Sequence, residues 1–90
     1  MQINKINNSK EYSIDHLDIR GKVCPMTFVY TKLKLEELDE GDMLEVILDF
    51  PAAIKNVPEN CERQSLAVLI ETKFVNEKKG KHWLLKLKKL

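Results

Sequence analysis

The sequence predicts an α/β (α+β) two-layer sandwich of order β-α-β-α-β-β, with a four-stranded mixed sheet and two helices on one face. Three observations predict it. Residues 43–48 and 82–90 alternate their side chains with the two-residue period of a strand. Two helical stretches begin at prolines, Pro25 and Pro51, a residue favoured at the first helical position. The helical stretches fall between strand-like ones, so right-handed crossovers bring parallel strands together and leave both helices on one side.

Each element has its own local reason. Residues 1–11 are polar, rich in Asn and Lys and without periodicity, and are expected to form a flexible leader; residues 12–90 are expected to form one domain. Residues 14–19 read as a first strand, with Leu17 and Ile19 alternating with Asp18 and Gly21 supplying the turn. Residues 25–38 hold good helix formers with no internal Gly or Pro, and Asp39-Glu40-Gly41-Asp42 stops them. In residues 43–48, Leu44, Val46 and Leu48 face one way while Ile47 adds apolar character to the other, as in a central strand partly covered on both sides. Pro51 opens a second helix and Pro58 restarts it, with Ile54, Val57 and Cys61 on one face. Residues 66–75 and 82–90 read as two strands joined by residues 76–81. Trp83, Leu85 and Leu87 point one way, and Leu84, Lys86 and Lys88 the other.

Size and composition narrow the function. A chain of 90 residues buries roughly 60 to 65% of its unfolded surface, so a deep, self-contained active-site cavity is not expected. Two cysteines are too few for a disulfide scaffold, and no apolar run approaches the roughly 20 residues that span a bilayer. A cytoplasmic, reduced and monomeric protein is expected, with no membrane contact. The formal net charge of +1 hides an uneven layout: residues 36–49 carry seven acids and no base, and residues 73–90 carry seven lysines and one acid. The lysines suit an edge strand, where they block sheet-to-sheet association, so direct nucleic-acid binding is not expected.

The chemistry concentrates at Cys24. Pro25 reads as the first helical residue and Cys24 as the N-cap, where free N–H groups and the positive end of the helix dipole favour a thiolate. Arg20 and Lys22 add positive charge if they turn toward the sulfur. Cys61 shares an apolar stripe and reads as core. His16 and His82 read as surface or edge residues. No C-x-x-C or H-x-x-x-H spacing suggests a zinc site, and no metal or organic cofactor is expected. On the first helix, Phe28, Thr31, Leu35 and Leu38 form the stripe that packs on the sheet. Met26, Val29, Tyr30 and Leu33 lie opposite, as a candidate docking patch beside Cys24.

The run Leu17-Asp18-Ile19-Arg20-Gly21-Lys22-Val23-Cys24-Pro25 resembles the opening of the TusA/SirA/YedF-like sulfur-carrier family, whose pattern is Leu-Asp, a nearby Gly, then Cys-Pro-x-Pro. The resemblance continues through Glu40-Gly41-Asp42, Asp49-Phe50-Pro51 and Val57-Pro58. It implies the same two-layer fold, like that of the C-terminal domain of translation initiation factor three. It also implies a persulfide on Cys24, taken from a sulfur-donor protein such as a cysteine desulfurase or a rhodanese and passed to a sulfur-acceptor protein. Known fates in the family are tRNA thiolation, sulfur oxidation, and molybdenum-cofactor or selenium metabolism. One position departs: Thr27 stands where the family has its second proline, and its restored N–H is expected to bond the Cys24 sulfur. Two other functions fit the same residues, a non-catalytic protein- or RNA-interaction module and a thiol redox protein.

Overall fold

The computed structural model describes residues 14–90. The expected leader at residues 1–11 lies outside the described residues. The elements run β1 Ile14–Asp18, α1 Met26–Glu36, β2 Met43–Leu48, α2 Pro51–Arg63, β3 Ala67–Glu77 and β4 Gly80–Lys89. One four-stranded sheet has the order β1-β2-β4-β3, with β1 parallel to β2 and the other two pairings antiparallel.

Register follows the alternation. Val46 pairs Leu17 on one side and Leu85 on the other, and Leu44 pairs Leu87, so the central strands stack their apolar residues on the helical face. There Leu44, Val46, Leu48, Leu85 and Leu87 form one core with Leu35 of α1 and Ala53, Val57 and Cys61 of α2. Opposite, Glu45 pairs both His16 and Lys86, and its carboxylate lies 3.1 Å from the His16 ring. Glu71 of β3 takes the other side of Lys86 at 3.6 Å. The open face is therefore laced with charge around Ile47 and Leu84, which are only half-buried.

Three expectations change. The last two strands are longer than residues 66–75 and 82–90. Asn76 pairs Lys81 and Glu77 pairs Gly80, so the connection tightens to a turn at Lys78 and Lys79. Gly80, at φ 135°, takes a backbone conformation closed to most side chains. Pro58 does not restart the second helix but lies inside a continuous one, buried between Val57 and Cys61. Its ring nitrogen cannot donate to the Ile54 carbonyl, and core packing holds the turn instead. His82 is 9% exposed, not a surface residue, because β4 carries it inside the sheet opposite Val75.

The end of α2 is closed by backbone geometry. Ser65 takes φ 56°, its N–H donates to the Glu62 carbonyl at 3.1 Å, and the Leu66 N–H donates to the Cys61 carbonyl at 2.8 Å. These two bonds form a Schellman closure that satisfies the last carbonyls and turns the chain into β3.

Candidate functional site

Cys24 sits in the connection from β1 to α1, and that connection is pinned at both ends. The Ile19 N–H donates to the Ile47 carbonyl at 2.8 Å, extending the β1–β2 ladder by one residue. Gly21, at φ 87°, then reverses the chain, and its N–H donates to the Asp49 carboxylate at 2.8 Å. Asp49 follows directly on β2, so the loop is tied to the carboxyl ends of two neighbouring strands. The Cys24–Pro25 peptide is cis, and α1 begins one residue later.

That start corrects the expected cap. Pro25, not Cys24, occupies the N-cap position of α1, and the helix spans Met26–Glu36 within the anticipated 25–38. The Thr27 N–H donates to the Val23 carbonyl at 3.2 Å and not to the Cys24 sulfur. A nearby backbone oxygen wins because it is the stronger acceptor. Thr27 meets the sulfur through its side chain instead, with Oγ1 3.5 Å from Sγ. Thr27 is fully buried, and it continues the inward stripe of Thr31 and Leu35 at a spacing of four. Thr31 Oγ1 donates to the Thr27 carbonyl at 2.8 Å, which satisfies a second buried hydroxyl within the same turn.

A second polar group reaches the sulfur from the other helix. Asn56 Nδ2 of α2 donates to Cys24 Sγ at 3.7 Å. Sequence reasoning missed Asn56, which is 32 residues away and off the apolar stripe of its helix. Thr27 was missed as a buried residue, although its i, i+4, i+8 spacing with Thr31 and Leu35 carried the signal.

The two expected cations are engaged elsewhere. Arg20 forms a fork on Asp18, with Nη2 2.6 Å from Oδ2 and Nε 3.0 Å from Oδ1. The Arg20 side chain, and then its backbone N–H, hold the Asp18 carboxyl below the usual carboxylate range. Lys22 Nζ lies 5.5 Å from the centre of the Tyr30 ring, a cation–π distance. Among the described residues, the polar side chains on Sγ are thus two neutral ones, Thr27 and Asn56.

The surface beside the sulfur is apolar. Met26, Val29, Tyr30 and Leu33 of α1 are all exposed, Leu33 at 54%, while Phe28 and Leu38 pack against the core with Thr31 and Leu35. Val23, immediately before Cys24, is exposed at 53% and widens the patch beyond the four residues read from the helix. Cys24 itself is partly buried, and Cys61 is fully buried. Burial pushes the Cys61 thiol up to about 11, with Glu62 adding to the shift. Among the described residues, no group of three or more His, Cys, Asp and Glu side chains is placed to hold a metal ion, and no helix is long and apolar enough to cross a membrane.

Residues 15–89 match the family described as sulfurtransferase TusA. The chain belongs to the TusA family. A relative in Archaeoglobus fulgidus, provisionally named a sulfur carrier protein, is 48% identical over 73 residues, covering 81% of this chain and 78% of that protein. The similarly named YedF of Escherichia coli is 36% identical over 53 residues, 59% of this chain and 69% of that one. The crystal structure of a SirA-like protein from Desulfitobacterium hafniense aligns with a TM-score of 0.59 at 21% identity, over 82% of this chain and 95% of its own. That likeness supports the fold. In this TusA-family chain the run is Cys24-Pro25-Met26-Thr27, with the threonine hydroxyl turned onto the sulfur.

Proposed function

We propose that this chain is a sulfur carrier that accepts a sulfane sulfur on Cys24 as a persulfide and relays it to an acceptor protein. The observation that carries the reading is the contrast at sulfur. Cys24 is partly open to solvent with two hydrogen-bonding side chains on its Sγ, whereas Cys61 is sealed in the core. Membership of the TusA family, with relatives named as sulfur carriers, supports the same assignment.

The transfer balances without an oxidant or a metal. The Cys24 thiolate attacks the outer sulfur of a donor persulfide, a new S–S bond forms at Cys24, and the donor's own S–S bond breaks. The electron pair of that bond leaves with the donor's inner sulfur as a thiolate. Delivery is the same substitution with the acceptor's thiolate as the attacking group. Because both steps need a second protein at the sulfur, the exposed Val23, Met26, Val29, Tyr30 and Leu33 are assigned as the surface on which donor and acceptor dock. Arg20 and Lys22 are assigned to orienting a partner and not to holding the sulfur, since Asp18 and Tyr30 occupy them. A thiol redox role is less well supported, because the buried, protonated Cys61 is a poor resolving thiol.

The test is incubation with a cysteine desulfurase, cysteine and pyridoxal phosphate, followed by intact-mass measurement. The wild type should gain the mass of one sulfur atom, reversibly under thiol reductant, and Cys24→Ser should gain none. Equal uptake by Cys24→Ser would remove the assignment. Delivery toward tRNA thiolation, one fate implied by the family, is read separately as thiouridine formed in a reconstituted relay.

A further inference from the structure

We propose that Asn56 is a positioning residue for the Cys24 sulfur, its side-chain amide holding, with the Thr27 hydroxyl, the negative charge that sulfur carries. The role deepens the persulfide reading and rests on it for its purpose, though not for its test.

The argument begins with partners. Among the described residues, Cys24 Sγ is the hydrogen-bond partner of the Asn56 amide, and Thr27 Oγ1 likewise contacts Sγ. A hydroxyl buried as fully as that of Thr27 needs an acceptor, and an anionic sulfur is a better one than a thiol. With Arg20 on Asp18 and Lys22 over Tyr30, charge developing at the sulfur falls to these two neutral donors.

Their placement is rigid and divided. Thr27 comes from the first turn of α1, and Asn56 from α2, where the next two residues, Val57 and Pro58, are buried. The Asn56 backbone is therefore fixed by the core although its side chain is exposed. A sulfur atom bonded to Sγ stands about 2 Å farther out. The buried hydroxyl stays with the inner sulfur, and the exposed amide follows the charge outward as the persulfide forms. An aspartate of the same shape would set a carboxylate against that charge.

The test compares wild type, Asn56→Ala and Asn56→Asp, first in alkylation of Cys24 by iodoacetamide across a pH series, then in loading by a cysteine desulfurase. Both variants should keep the wild-type melting temperature, since the side chain is exposed. At neutral pH, alkylation should slow about tenfold in Asn56→Ala, at the low end for a hydrogen bond to a charged group, and about fiftyfold in Asn56→Asp. The rates should converge with wild type at high pH, where all three are fully ionised; a merely structural role would not produce that convergence. In loading, kcat should fall in the same order while the KM for the carrier holds. Wild-type alkylation in both variants, or a deficit that persists at high pH, would overturn the role of Asn56. If alkylation responds as expected but wild type takes up no sulfur, the persulfide reading fails and the hold of Asn56 on the sulfur stands.

Discussion

The two cysteines put the same side chain in opposite surroundings. Cys24 lies at the edge where β1 turns into α1, with a hydroxyl and an amide on its sulfur and exposed apolar side chains around it. Cys61 lies on α2 among Leu44, Val57 and Leu87, fully buried, with its thiol pushed up to about 11. Chemistry available to a thiol is thus set by what surrounds it. Desolvation keeps Cys61 protonated and packed as a small hydrophobe, while the helix-to-helix corner leaves Cys24 accessible and supplied with donors.

The sharpest way to break this contrast is selective labelling. In the folded protein Cys24 should react with iodoacetamide on the order of a thousandfold faster than Cys61, because modifying Cys61 requires opening of the core; in denaturant the two should react alike. Comparable rates in the native state would mean that α2 does not seal Cys61. Next in size is stability. Cys61→Ser should cost about 1 to 3 kcal/mol by denaturant unfolding, since it buries a hydroxyl among apolar neighbours, and Cys24→Ser should cost little.

The docking surface gives a smaller, kinetic effect. Replacing Tyr30 and Leu33 together by Ser should raise the KM for sulfur transfer about tenfold and leave unfolding unchanged, because both side chains are exposed. Unchanged transfer would take these residues out of the docking surface. A further effect is in pH. An acid whose folded pKa is raised keeps its proton while the unfolded chain loses it. Cys61 should therefore make stability decline as pH rises from about 9 to about 11, and Cys61→Ala should flatten that decline.

Much of the fold was legible because alternation and stripe are local signals. Val46 and Leu85 announced their core face by period, and Ile54, Val57 and Cys61 announced theirs by helical spacing. The hairpin was misjudged because polar residues such as Asn76 and Lys81 pair through their backbones, which carry no side-chain signature. At the site, Cys24 stood out by its proline, but its neighbours did not. Thr27 reaches the sulfur by a side chain and not by the expected N–H, since Val23 supplies the closer acceptor. Asn56 arrives through the packing of α2 against α1, a tertiary event that no local pattern encodes. Arg20 was read for its charge alone, and the competing carboxylate of Asp18 two residues earlier captured it.

The central claim is that sulfur chemistry resides on one of the two thiols, and peptide mapping tests it most directly. After loading by a cysteine desulfurase and capping of the free thiols, the extra sulfur should be found on the peptide containing Cys24, with the Cys61 peptide unmodified. Extra sulfur on Cys61, or shared evenly between the two, would contradict the account.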